Sequence, residues 1–183
     1  MVITGMGAVT PVGSGVDAMW NSLVSGVSGI GTVTRFDASG YETRIAAEVK
    51  DFDPATVIDR KEARRMDRYT QFGVAAAVEA ISHAGLSGFD PERAGVSFGT
   101  GIGGMETLEQ QFRVLFEKGP ARVSPLFIPM MISNMAAGNI AIRFGLKGPN
   151  ATLTTACAAS AHSVGYGFEA IRRGSADVML AGG

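Results

Sequence analysis

Residues 150–183 constrain the fold more tightly than any other stretch of this chain. Asn150 to Ala156 is rich in threonine and closes on a small residue, as a strand entering a tight corner does. Beyond it Ala161, Val164, Gly165, Phe168 and Ile171 recur at helical spacing, and Arg172, Arg173 and Gly174 supply the cations and glycine of a helix end. Val178 to Ala181 then reads as a second strand. Strand, helix over 158–173 and strand make a βαβ unit, which requires a parallel sheet. That helix carries Ala158, Ala159, Ser160, Ala161, Ser163, Gly165 and Gly167, so it offers little bulk on any face and can be packed on both sides.

The rest of the chain continues the alternation. Val2 to Gly5 reads as a short strand, Asp17 to Ser25 as a helix and Arg44 to Lys50 as a strand. Arg60 to Ala84 reads as one helix ended by Gly85, Ala94 to Gly99 as a buried strand, and Glu106 to Lys118 as a charged amphipathic helix. Met130 to Phe144 supplies one or two more helices. The expected class is α/β with a largely parallel sheet. Residues 1–183 show no internal repeat and no convincing domain boundary. Hydrophobic residues make up 46% and charged ones 18%, which calls for a thick interior or a large contact surface. A net charge of −1 gives no pull toward nucleic acid or an anionic membrane. There is neither a basic-then-apolar leader nor an uncharged apolar run of membrane-spanning length, so the cytoplasm is the expected location.

Cys157 is the only cysteine, which excludes an intramolecular disulfide and a cysteine-based metal site. A free cysteine usually behaves as a small buried hydrophobe. Its flanks argue for more: Thr154-Thr155-Ala156-Cys157-Ala158-Ala159-Ser160 places the sulfur where a strand gives way to a helix. The positive end of a helix favours thiolate, the reactive form, and its N–H groups can stabilise an oxyanion. Only two histidines are present. His83 stands near a helix end ahead of Gly85, and His162 lies five residues past Cys157, about 140° around an ideal helix. Both read as structural.

The segment Thr154 to Ser160, preceded by Gly145-Leu146-Lys147-Gly148-Pro149-Asn150 and followed by Asp177 to Gly183, resembles the nucleophile region of β-ketoacyl-acyl-carrier-protein synthases. Val2 to Gly13 and Ser124-Pro125-Leu126-Phe127-Ile128-Pro129 are similar to other segments of that family, and the elongating type matches best along the whole length. The resemblance implies a thiolase-like layered αβαβα fold, of which residues 1–183 form the first half. It implies that Cys157 takes an acyl chain before decarboxylative condensation with a malonyl carrier, without cofactor or metal. It also implies that two histidines and a lysine come from the second half, so this stretch alone accepts an acyl group but does not condense. By the same resemblance Ala156 and Ile102 line the acyl pocket, and Phe127 reaches it from the other subunit of a homodimer. Met130, Met131 and Met135 could lend that pocket adaptability. Asn139 stands where relatives often carry histidine. Lys61, Arg64, Arg65 and Arg122 match positions that dock the acidic acyl carrier protein. Lys61 and Arg65 would share one helix face, with Arg64 flanking it.

Other readings compete. Gly99-Thr100-Gly101-Ile102-Gly103-Gly104 satisfies G-x-G-x-x-G between a strand and a helix, the pattern of a dinucleotide-binding module. The required second strand with a terminal acid is missing, because Arg122 to Pro129 is proline-punctuated and basic. A cysteine hydrolase needs a partner histidine, and neither available one is well placed. A thiolase-type acyltransferase or an initiating synthase would share the fold, but the Phe127 segment and the basic cluster favour an elongating synthase. A polyketide ketosynthase stays open beside fatty-acid elongation.

Overall fold

The computed structural model describes residues 1–183. In chain order the elements are β1 (Val9–Thr10), β2 (Gly13–Ser14), α1 (Val16–Val24), β3 (Ile30–Thr32), β4 (Ile45–Ala47), α2 (Arg60–Ala63), α3 (Arg68–Ala84) and β5 (Ala94–Gly99). They continue as α4 (Met105–Lys118), α5 (Phe127–Met131), α6 (Met135–Phe144), β6 (Asn150–Leu153), α7 (Ala159–Arg172) and β7 (Val178–Gly182). The strand pairs β1/β2 and β3/β4 are small antiparallel ribbons outside the main sheet. The main sheet is three-stranded and parallel, in the order β6-β5-β7.

Alternation along the central strand assigns its two faces. Val96 and Phe98 pack with Val74 and Ala77 of α3 and Ala137 and Ile140 of α6, which places the main core on that side. On the other side Gly99 passes so close to the start of α7 that a Cβ there would overlap the backbone of Ala159 and Ser160. Ala159, Ser163, Gly167 and Ala170 recur along α7 as its buried row. A Cβ on Gly167 would lie 3.0 Å from that of Ala181 in β7, so small residues let the helix settle against the sheet. The other side of α7 stays open in this chain: Val164, Tyr166 and Phe168 are exposed. The expected packing on both sides is therefore met on one. Only 25 of 183 residues are buried, while Trp20, Leu23, Phe116 and Ile142 stand exposed, so the apolar composition serves a large contact surface more than a thick interior.

The structure corrects several expected elements. Val2 to Gly5 forms no strand. The segment lies along α3 instead, where a Cβ on Gly5 would strike the Ala80 carbonyl. Just past it, side chains of α3 hold the backbone: Met6 N–H donates to His83 Nδ1 at 3.2 Å and Ala8 N–H to Glu79 Oε2 at 2.8 Å. The strand expected over Arg44 to Lys50 shrinks to β4, and past it the Glu48 carboxylate accepts from Thr34 Oγ1 at 2.6 Å and Thr34 N–H at 3.0 Å. The single helix expected over Arg60 to Ala84 breaks at Asp67, whose extended backbone (φ −64, ψ 159) makes it the N-cap of α3. Aspartate competes for backbone N–H groups and so favours a cap over a helix interior. Met130 to Phe144 divides at Ile132, whose carbonyl accepts the Tyr69 hydroxyl proton at 2.7 Å, and the first piece begins earlier, at Phe127. Burial pushes the Tyr69 phenol above its ordinary value, which keeps it a donor.

One surface pair fixes the entry of two strands. Arg93, just before β5, donates to both carboxylate oxygens of Asp177, just before β7, at 2.6 and 2.7 Å, and also to the Gly174 carbonyl at 3.0 Å. The Arg93 hydrogen bonds hold the Asp177 carboxyl below its usual range. A depressed carboxyl contributes stability above its unfolded value and loses it as pH falls through the folded one. Asp177→Asn in the complete protein is therefore expected to melt slightly lower than the parent at pH 7, with the gap closing below about pH 4. Thermal melts across pH check this, and a gap that does not change with pH contradicts it.

Candidate active site

Strands β5 and β6 run parallel with Gly99 beside Leu153, so the loops that follow their C-terminal ends leave the sheet side by side. The first such loop carries Ile102 and the second Cys157. Past β6 the chain passes Thr154 and Thr155 into a single 3-10 turn, Ala156–Ala158, and then into α7. Ala156 has φ 50, the one non-glycine residue with positive φ, so the backbone is strained at the residue before the cysteine. Ala158 N–H donates to the Thr155 carbonyl at 3.1 Å and Ala159 N–H to the Ala156 carbonyl. Neither bond uses the N–H of Cys157. The Cys157 side chain is exposed and free, at the N-terminal approach to α7.

His162 takes a more definite role than its position on an ideal helix suggested. Its Nδ1 lies 2.7 Å from Thr155 Oγ1, so the first turn of α7 is tied back to the corner that presents the cysteine. Counting around the helix from Cys157 does not reveal this contact, whose partner is Thr155, seven residues back and nearly in line with His162. His83 serves the N-terminal segment through Met6. Neither histidine is positioned as the proton acceptor of a cysteine hydrolase.

The loop after β5 is held from two directions. Thr100 N–H donates to the Leu153 carbonyl at 3.1 Å, and Gly103 N–H to Thr100 Oγ1 at 3.2 Å. Gly104 N–H then donates to the Met131 carbonyl at 2.8 Å, which joins this loop to the end of α5. A Cβ on Gly103 or Gly104 would come within 2.7 or 2.6 Å of the carbonyls of Met131 and Met130. The glycines thus serve close packing on α5, and a phosphate cradle is not what their spacing records. Ile102 in this loop is exposed, and Phe127 is half-buried at the head of α5. Met130 and Met131 flank the same junction, and Ala156 is exposed beside Cys157. Asn139 donates to the Met135 carbonyl within α6 at 2.7 Å, a bond internal to the helix.

The basic residues stand on separate pieces. Lys61 lies in α2, Arg64 caps it and Arg65 follows, so no continuous helix face carries Lys61 and Arg65 as the spacing predicted. All three are exposed and take part in no ion pair. Their acidic neighbours are engaged elsewhere: Asp59 caps α2 through Lys61 N–H and Glu62 N–H, and Glu62 faces Arg143 at 3.4 Å. Arg122, also exposed, shares a surface concavity with Val114 and Lys118, and Arg60 and Arg64 border another. Lys118 and Arg60 add cations that sequence clustering alone did not single out.

The family model for the beta-ketoacyl synthase N-terminal domain matches residues 1–183. The chain belongs to the beta-ketoacyl synthases. It is 48% identical over its whole length to the 3-oxoacyl-[acyl-carrier-protein] synthase 2 of Staphylococcus aureus and to that of Synechocystis, covering 45% and 44% of them. It therefore spans less than half the length of these relatives. Among solved structures, the ishigamide ketosynthase/chain length factor aligns at a TM-score of 0.88 and 34% identity, over all of this chain and 46% of that one. A beta-ketoacyl synthase from Burkholderia phymatum aligns at 0.82 and 30% identity, over 98% of this chain and 45% of that one. A type II polyketide ketosynthase, solved in complex with its acyl-carrier protein, aligns at 0.84 and 26%, over 98% of this beta-ketoacyl synthase chain and 48% of that one. The fold is the N-terminal half of the thiolase-like ketosynthase architecture. No helix is long and apolar enough to cross a membrane.

Proposed function

We propose that residues 1–183 are the nucleophile-bearing domain of a 3-oxoacyl-[acyl-carrier-protein] synthase that elongates fatty acyl chains. The observation that carries this reading is the exposed Cys157 thiol, held by a strained corner between β6 and α7 in a beta-ketoacyl synthase domain. The Cys157 thiolate attacks the carbonyl carbon of a carrier-bound acyl thioester. The new carbon–sulfur bond forms as the old one breaks, and the carrier leaves as a thiol after taking a proton. The Cys157 N–H, outside both bonds of the turn, faces this chemistry as a donor for the transient oxyanion. A malonyl thioester on a second carrier then loses carbon dioxide, and its enolate carbon attacks the Cys157 thioester. Cys157 departs as thiolate, and the lengthened 3-oxoacyl chain remains on the carrier. Groups from the rest of the protein stabilise the enolate.

In this reading Ile102, Phe127 and Ala156 line the acyl pocket, with Phe127 contributed across a homodimer. The unpaired cations Lys61, Arg64, Arg65 and Arg122 receive the acidic carrier protein by charge steering. The enzyme acts in the cytoplasm. The complete protein, supplied with acyl- and malonyl-carrier, is expected to release carbon dioxide and 3-oxoacyl-carrier in equal amounts. Free fatty acid without carbon dioxide would instead indicate a thioester hydrolase. Likeness to a type II polyketide ketosynthase supports a second reading, in which the product returns for repeated unreduced extension. A single 3-oxoacyl product per carrier distinguishes elongation from that reading.

Arg65→Glu is expected to raise the apparent KM for carrier-bound substrate by about tenfold while sparing a small acyl thioester. An equal loss on both substrates contradicts docking at this surface.

A further inference from the structure

Asp67 is a buried carboxylate outside the reaction just described. It is 5% exposed, and no arginine or lysine pairs with it. Its two oxygens divide their work. Oδ1 accepts from Tyr69 N–H at 3.3 Å, capping α3, while Oδ2 accepts from Thr107 N–H at 2.8 Å, in the first turn of α4. The second bond is the shorter and joins residues far apart in sequence. It fixes the start of α4, the helix into which Gly101-Ile102-Gly103-Gly104 runs directly.

Asp67 adds an anchor to a loop already held through Thr100 and the Met131 carbonyl. A Cβ on Gly104 would come within 3.0 Å of the Asp67 carboxyl carbon, so the carboxylate forms the floor on which the glycine turn rests. Tyr69, two residues on, holds the junction of α5 and α6 through the Ile132 carbonyl, and the Gly104 bond to Met131 closes the circuit. Ile102, in this turn, is itself largely exposed. Its position is inherited from the turn below.

We propose that Asp67 is a positioning residue for acyl-chain selection: through Thr107 it sets how far the Ile102 turn projects, and hence the length of chain accepted on Cys157. This rests on the reading of Ile102 as a wall of the acyl pocket. Two substitutions separate the two oxygens' roles. Asp67→Ser retains a cap for Tyr69 N–H but is too short to reach Thr107, whereas Asp67→Asn retains an oxygen for Thr107 and gives up the weaker cap.

The test is Cys157 acylation of the complete enzyme by carrier-bound acyl chains of graded length. The ratio of long- to short-chain kcat/KM is expected to change by about tenfold in Asp67→Ser and to stay near the parent's in Asp67→Asn. Ile102→Phe serves as the control. If Ile102→Phe changes the length ratio and Asp67→Ser does not, or if both Asp67 variants shift it alike, the positioning role is overturned and the pocket reading stands. A uniform loss at every chain length in Asp67→Ser overturns it equally. If Ile102→Phe also leaves the ratio untouched, the pocket reading fails and takes this inference with it.

Discussion

Replacing Cys157 by alanine in the complete protein is expected to abolish acyl transfer and condensation, with turnover falling by at least about 10⁴-fold. The reason is chemical. Alanine removes the atom that receives the acyl group, and no other cysteine exists in these residues to replace it. The fold should survive, because the side chain is exposed and supports no packing. A normal melting temperature with no turnover is the expected pair of observations, read by thermal unfolding and product formation on one preparation. Residual turnover within about tenfold of the parent would assign the chemistry to another group.

The second large effect belongs to a residue with no side chain. Gly99 ends β5 where the backbone of Ala159 and Ser160 crosses it, and a methyl group there has nowhere to go. The obstruction is backbone, which cannot swing aside as a flexible side chain would. Gly99→Ala is expected to cost about 3 kcal/mol of stability through overpacking. Because the displaced element is the first turn of α7, the Cys157 corner moves with it. Where the variant remains folded, acylation should slow by about 100-fold. Denaturant unfolding and acylation rates of the complete protein check the two parts. A stable variant with parental rates would show that sheet and helix are not in the contact that sets the site.

The parts of this fold that could be read from sequence are those whose signals are local. The βαβ unit of residues 150–182 announced itself through threonine content, helical spacing and the closing cations, and its strands and helix stand within a few residues of their expected bounds. The buried strand β5 was equally plain, as was α4. What sequence could not show were elements decided by distant partners. Val2 to Gly5 has strand-like residues, yet Glu79 and His83 claim the N–H groups that follow it. The pattern over Arg60 to Ala84 is helical throughout. Asp67 interrupts it because its carboxylate is claimed by Thr107, forty residues away.

The site divides in the same manner. Cys157 stood out as a lone cysteine at a corner, and the proposed pocket residues Ala156, Ile102 and Phe127 followed from the family's segments. The contact of His162 with Thr155 lay outside a reading that measured the helix only from Cys157. Nor did the break after α2 show itself, and it leaves Lys61, Arg64 and Arg65 as separate exposed cations off any common stripe. Asp and Thr side chains that bond to nearby backbone or side-chain groups mark such junctions, as Asp67, Thr100 and Thr155 do.

The most direct measurement is intact mass followed by peptide mapping, on the complete protein exposed to acyl-carrier substrate with malonyl-carrier withheld. One acyl group per chain, on the peptide that contains Cys157, is the result expected if the corner between β6 and α7 presents the nucleophile. An unmodified mass, or an acyl group on any other residue, would contradict it.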